Sequence, residues 1–256
     1  MHGLSGKRAL ITGGASGIGR AIGLALAQAG CDIALIDVAH AAAEATAQDI
    51  RALGRAAEVA AGDVASAASV RAAVAALEAS GPPFDILINN AGIARLGSVL
   101  SISAEDWRDT FAVNVDGIFN ATRAVVPGMI ERRRGAVVNL ASWLGRRGHP
   151  QFSAYAAAKF AVIGITQSLA PEVAAFGVRV NAVCPGIIAD TPMRLALEQA
   201  GAGAGLPPLA ERVKSVPLGR AGTPEEVANV VVFLASEAAA YVTGAAYDVS
   251  GGYWMS

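Results

Sequence analysis

Short apolar runs alternate with longer stretches of helical periodicity along almost the whole chain. The runs are RALIT at 8–12, DIALI at 32–36, AAEVAA at 56–61, FDILIN at 84–89, GAVVNLA at 135–141, VRVNAV at 178–183 and AAYDV at 245–249. Near-continuous hydrophobicity is what a strand shows when both faces of its sheet are covered, the normal state of parallel sheets. Such runs separated by helical segments predict an α/β fold, a doubly wound parallel sheet of about seven strands with helices on both faces. Right-handed crossovers then gather the loops that follow the strands at the carboxyl edge of the sheet, where open α/β sheets bind ligands.

Two local features qualify the pattern. Pro171 falls inside the helical segment that opens near Tyr155. An interior proline removes one helical hydrogen bond, at a cost of about 3 kcal/mol, and predicts a kink there. Residues 190–217 contain the tract AGAGAG and then Pro207-Pro208. That chemistry breaks helices and predicts a mobile lid over a substrate. With no linker or low-complexity segment elsewhere, the 256 residues read as one domain.

The first apolar run continues into Thr12-Gly13-Gly14-Ala15-Ser16-Gly17-Ile18-Gly19 and then an amphipathic helix. Gly13, Gly17 and Gly19 permit a tight turn and close backbone approach by a pyrophosphate, and the helix start offers free N–H groups and a positive dipole end. A strand before, a helix after and an acidic residue ~20 positions on complete a dinucleotide-binding signature. Asp37, at the end of the second run, is that acid. Its carboxylate suits two ribose hydroxyls and repels a 2′-phosphate, and neither Ser16 nor Val38 supplies a compensating cation, so NAD is expected over NADP.

Tyr155 and Lys159 are four residues apart in SAYAAAKFAVIGITQSLA, and Ser142 ends GAVVNLAS thirteen residues before Tyr155. Residues four apart share a helix face, so the Lys159 ammonium is expected beside the Tyr155 phenol, lowering its pKa toward the range of a working general acid or base. Ser142 then holds the reacting oxygen.

These residues, in order with Asp63-Val64, Asn89-Asn90-Ala91-Gly92, Asn114 and Pro185-Gly186, resemble the short-chain dehydrogenase/reductase family over essentially the whole chain. The likeness includes NAD-dependent sugar and polyol dehydrogenases and 3-oxoacyl-carrier-protein reductases. It implies a Rossmann fold, a homotetramer and a catalytic tetrad of Asn114, Ser142, Tyr155 and Lys159. Tyr155 would be the acid/base, Ser142 would orient the substrate oxygen, Lys159 would also bind the nicotinamide ribose, and Asn114 would hold a water between Lys159 and bulk solvent. Ile18 would meet the pyrophosphate, Asp63 and Val64 the adenine, Asn90 the adenosine-side ribose region, and Ile188 the nicotinamide carboxamide through its backbone. Asp63 also reads as an N-cap. Four residues separate Gly186 from Thr191, one more than the family pattern, which leaves the Thr191 cofactor contact open.

The function implied is hydride transfer between NAD(H) and a secondary alcohol or ketone, a sugar, polyol or other small polar alcohol. The alternatives are a 3-oxoacyl thioester reductase and a non-catalytic cofactor-sensing scaffold. The expected pocket lining is 143–154, with Trp143, Arg146, Arg147, His149 and Gln151, together with Ala94, Arg95 and the lid.

Composition narrows the partners. A net charge of −1 gives no drive toward nucleic acid or acidic membranes, and Arg132-Arg133-Arg134 reads as a solvated helix end. With 54% apolar residues against 16% charged, some surface is expected to be buried between subunits. Cys31 and Cys184 read as small buried hydrophobes, and three histidines in no ligand spacing argue against zinc. With no signal-like start and no membrane-spanning run, a cytoplasmic enzyme is expected.

Overall fold

The computed structural model describes residues 3–201 and 207–255. Its strands are β1 (Arg8–Thr12), β2 (Asp32–Asp37), β3 (Ala57–Ala61), β4 (Ile86–Asn89), β5 (Gly135–Leu140), β6 (Val178–Pro185) and β7 (Ala246–Val249). All seven predicted runs are strands. They form a single parallel sheet of order β3-β2-β1-β4-β5-β6-β7. The helices are α1 (Gly17–Gln28), α2 (His40–Ala52), α3 (Ala67–Ser80), α4 (Ala104–Phe111), α5 (Gly117–Glu131), α6 (Ser153–Ala174), α7 (Pro192–Gly201), α8 (Leu209–Arg212) and α9 (Pro224–Ala235).

Side chains one apart on each strand go to opposite cores, so the continuous apolar runs are fully used. Ala9 and Ile11 of β1, with Ile33 and Leu35 of β2, pack against Ile22 and Leu26 of α1, Ile50 of α2 and Val231 of α9. Leu10, Ala34 and Ile36 pack the other way, against Val74 and Leu77 of α3 and Val125 and Met129 of α5, while Ala170 and Val173 of α6 cover Val178 and Val180. The fold is the doubly wound α/β sheet that the pattern predicts.

α6 runs through Pro171 to Ala174; the proline lies in the last turn, where a lost N–H bond interrupts little helix. Ser66, not Asp63, caps α3: its hydroxyl accepts from the Ser69 N–H, and Asp63 instead accepts from the Ala65 N–H in the preceding turn. Cys184 lies within β6, and both cysteines are buried, as their reading as small hydrophobes expects.

The arginine run does end a helix. Arg132 donates to the Phe84 carbonyl, Arg133 to the Ala175 carbonyl, and Arg134 pairs with Asp85 at 3.1 Å. No described helix is long and apolar enough to cross a membrane.

Candidate active site

The strand order reverses between β1 and β4, and the turns that follow these two strands meet there. Asn90 Nδ2 donates to the carbonyls of Thr12 (3.1 Å) and Gly13 (2.8 Å), and Thr12 Oγ1 accepts from the N–H groups of Asn90 and Ala91. Asn90 therefore braces the glycine turn from below, a role sequence reasoning did not assign. Glycine is required here on two counts. Gly13 has φ +70°, and a Cβ on Gly19 would lie 2.0 Å from the Gly13 carbonyl oxygen. The resulting cradle opens on a cleft of about 830 Å³ along the carboxyl edge, lined by Gly13, Ser16, Gly17, Ile18 and Gly19 at one end. No side chain caps α1: Ser16 makes no capping hydrogen bond, so the first N–H groups of the helix stay available to an anion.

Asp37, Asp63 and Val64 line the same end. One carboxylate oxygen of Asp37 accepts from the Ala15 N–H and the other from the Ala39 N–H, both at 2.9 Å, which holds the group at the tip of β2. Val38 beside it is 73% exposed, and no lysine or arginine lines this part of the cleft. Past β6, Ile187 O and Ala189 N–H pair with Gly222, so the N–H and C=O of Ile188 point the opposite way, and Ile188 lines the cleft. The extra residue before Thr191 is taken up by Asp190 at φ +54°. Thr191 still reaches the cleft beside Gly17, and its hydroxyl accepts from the Arg194 N–H.

Ser142, Tyr155 and Lys159 converge in the middle of this cleft. β5 delivers Ser142, whose hydroxyl accepts from the Leu144 N–H at 3.2 Å and acts on the Tyr155 phenol so as to lower its pKa. Lys159, one turn along α6, is 3% exposed and donates to the Leu140 carbonyl at 2.8 Å, with Nζ 5.5 Å from the Tyr155 ring centroid. The ammonium therefore stands over the Tyr155 ring while it is held by the Leu140 carbonyl. Burial pushes Tyr155 up to about 12 despite Ser142, and burial pulls Lys159 down to about 8. The expected lowering of Tyr155 by Lys159 is thus reversed in the protein alone, because desolvation outweighs a cation held on a carbonyl.

Asn114 does not itself line the cleft; it is fully buried behind Gly92, in a π-helical turn (Ala112–Asp116) between α4 and α5. Its Nδ2 donates to the carbonyls of Ile93 and Thr110, both at 2.8 Å. Its Oδ1 is buried without a hydrogen-bond partner, and a Cβ on Gly92 would stand 2.7 Å from that oxygen and 3.5 Å from Lys159 Nζ. An orphaned buried acceptor this close to an ammonium is a place where a water or a ligand hydroxyl completes the network.

The substrate half is walled by aromatic rings in edge contact. Trp143 meets Tyr253 at 4.8 Å and His149 at 6.0 Å, His149 meets Phe152, and Phe152 meets Tyr155. Ala94 and Arg95 also line it, but Arg146 and Arg147 do not. Arg146 pairs with Asp248 at 3.0 Å and also donates to the Ala246 carbonyl, while Arg147 lies over the Trp254 ring. Over the cleft, α7 and α8 contribute Met193, Arg194, Leu197, Glu211 and Arg212. Most of the AGAGAG tract lies outside the described residues. Arg194, Arg212 and Tyr253 were not singled out from sequence; the signal available was the cations Arg194, Arg212 and Lys214 in a lid rich in Ala, Gly and Leu.

A glycine cradle at the switch point of a parallel sheet, with an acid at the tip of β2 and a Ser-Tyr-Lys group alongside, defines a nicotinamide-dependent oxidoreductase. Residues 13–254 match a family model described as enoyl-(acyl carrier protein) reductase. The chain is 43% identical over 242 residues to 2-(S)-hydroxypropyl-CoM dehydrogenase 3 of Xanthobacter autotrophicus, covering 94% of each chain. Among solved structures, it superposes with TM-score 0.93 on an NAD+-bound xylitol dehydrogenase, at 31% identity over 97% of this chain and 99% of the other. It superposes with TM-score 0.90 on a gluconate 5-dehydrogenase of Burkholderia cenocepacia in complex with NADP and tartrate, at 36% identity over 97% and 95%. The chain belongs to the short-chain dehydrogenase/reductase family and is an oxidoreductase acting on alcohol groups with a nicotinamide cofactor.

Proposed function

We propose that this enzyme transfers hydride between NAD(H) and a secondary alcohol or its ketone, the substrate being a small polar molecule of the sugar, polyol or hydroxy-acid type. The observation that carries the reading is the convergence of Ser142, Tyr155 and Lys159 on the cleft that also holds the glycine cradle. Gly13, Ser16, Gly17, Ile18 and Gly19 would hold the pyrophosphate, Asp37 the adenosine ribose, Asp63 and Val64 the adenine, and the Ile188 backbone the carboxamide. Bound there, the cofactor supplies the hydride acceptor or donor. Asp37 without a cation beside it favours two ribose hydroxyls over a 2′-phosphate.

In the oxidative direction Ser142 would fix the substrate hydroxyl by a hydrogen bond, and Tyr155 as phenolate would take the hydroxyl proton while the carbon bearing that hydroxyl gives up its hydride to the bound cofactor. Lys159 stabilises the phenolate, holds the nicotinamide ribose, and passes the proton outward by way of water at Asn114 Oδ1. The chain acts as one domain, with residues 190–217 as its lid. Phe119 of α5 and Phe160 of α6 are exposed apolar rings that a homotetramer would cover.

Initial rates on sugars, polyols, hydroxy acids and 3-oxoacyl thioesters, with NAD(H) and NADP(H) in parallel, test this. A small polar alcohol with NAD should give the highest kcat/KM. A clearly better kcat/KM with NADPH and an acyl thioester would favour the reductase reading, and no turnover with any pair would favour the scaffold.

A further inference from the structure

Four cationic side chains reach the cleft: Lys159, Arg95, Arg194 and Arg212. Two of them are engaged. Lys159 donates to the Leu140 carbonyl, and Arg95 faces Asp106 at 3.4 Å. Arg194 and Arg212 have no carboxylate within 4.0 Å among the described residues, and Nη1 of Arg194 is buried without a hydrogen-bond partner. Its Nε makes one long contact, 3.5 Å to the Ile188 carbonyl. The nearest acids do not change this. Glu198, one turn along α7, has its own Oε1 buried and unpartnered, so the two do not satisfy each other, and Glu211 is exposed at the cleft rim.

Leaving a charged donor desolvated is costly, and two like charges on facing lid segments add repulsion. Burial lowers the Arg194 pKa and the charge of Arg212 lowers it further, while the charge of Glu198 raises it only in part, so the net shift stays downward. Arg194 also senses Tyr155 and Tyr253, which places its charge by the reacting end of the cleft rather than the adenine end. A guanidinium pair is suited to an oxyanion, which it can bind through parallel N–H bonds.

We propose that Arg194 and Arg212 form an anion-binding subsite, so that the alcohol oxidised beside Tyr155 carries a carboxylate or sulfonate group, with its carbon chain against the wall of Trp143, Phe152 and Tyr253. This rests on the dehydrogenase reading above, and deepens it by naming the substrate class. The acid group itself takes no part in hydride transfer; it fixes which hydroxyl faces Ser142 and Tyr155.

The test compares matched pairs on the full-length enzyme: 3-hydroxybutyrate against 3-hydroxybutyramide, and 2-hydroxypropane-1-sulfonate against 1-methoxy-2-propanol. The expected result is at least a tenfold preference in kcat/KM for the anion in one pair or both. The pair that shows it identifies the anion as carboxylate or sulfonate. Arg194→Gln and Arg212→Gln should each shrink that preference at least fivefold, chiefly through KM, with partial recovery in Arg194→Lys and a parallel loss at high salt. A binding arm is independent of turnover: quenching of intrinsic fluorescence by butyrate and by propanesulfonate in a Trp107→Phe, Trp254→Phe background that leaves Trp143 as the reporter, with and without Arg194→Gln. Arg194-dependent quenching without turnover of either pair would sustain the subsite and remove the dehydrogenase reading. Equal rates on both members of each pair, with quenching indifferent to Arg194, would overturn the subsite while leaving the dehydrogenase intact.

Discussion

On the cofactor side of the cleft the wall is mostly backbone: the turn of Gly13, Gly17 and Gly19, the bare start of α1 and the tip of β2 at Asp37. On the substrate side it is mostly side chains brought from separate segments, Trp143 and Phe152 before α6, Arg194 and Arg212 from the lid, and Tyr253 from beyond β7. The first wall is fixed by local geometry that only certain residues tolerate, and any change is felt at once. The second is fixed by tertiary packing, tolerates exchange, and is where relatives of one fold part company in substrate.

The sharpest way to break this contrast is at Gly19. A methyl group there collides with backbone, which cannot swing aside as a side chain can, so Gly19→Ala should lower NAD affinity at least ~10²-fold, read by NADH fluorescence. Normal affinity would mean that the cradle adapts. Asp37→Ser removes the carboxylate that repels a 2′-phosphate and should shift the NAD over NADP preference in kcat/KM by about tenfold or more toward NADP. A preference that does not move would dissociate Asp37 from cofactor choice.

The smallest effect is one of stability, at the junction of the two walls. Burial holds the Lys159 pKa at about 8 in the folded protein, against an ordinary lysine value of 10.5, so the unfolded chain binds more protons between these limits. Stability contributed by this group therefore rises with pH across that window, and below it the buried charge is a standing cost. Lys159→Met should raise the melting temperature at pH 7 by about 2–4 °C, the equivalent of ~1 kcal/mol, while abolishing turnover. The gain should fade as pH approaches 10.5. A lower melting temperature at pH 7 would show that the bond to Leu140 outweighs desolvation.

The same contrast explains what was legible in the sequence. The seven strands could be read because each is buried on both faces and so carries an unbroken apolar run, and the glycine turn because sterics leave few alternatives. Roles that depend on which group lies opposite could not be read this way. Asn90 lines the cleft, as its residue type suggested, but the bracing of the Thr12 and Gly13 carbonyls by its Nδ2 could not be read from sequence. Arg146 looked like a pocket residue beside Ser142, but it is drawn to Asp248, over a hundred residues away in the chain. The Tyr155 and Lys159 spacing predicted their shared helix face correctly and the sign of the Tyr155 shift wrongly, since helix periodicity says nothing about depth of burial.

That sign is also where the mechanism is most exposed. With Tyr155 held near 12, deprotonation during alcohol oxidation must be assisted by Lys159 and by the positive charge that the oxidised cofactor brings. The pH profile of oxidation should accordingly rise toward alkaline pH with an apparent pKa well below 12, and should move upward when Lys159 is replaced by Ala.

Tyr155→Phe keeps the ring and its edge contact with Phe152 while deleting the proton that must move. Measured side by side with the unmodified enzyme on its best alcohol, it should bind NADH with the same affinity and turn over at least ~10²–10⁴ times more slowly. Near-normal turnover in that variant would contradict the assignment of Tyr155 as the acid/base and, with it, the mechanism drawn for this cleft.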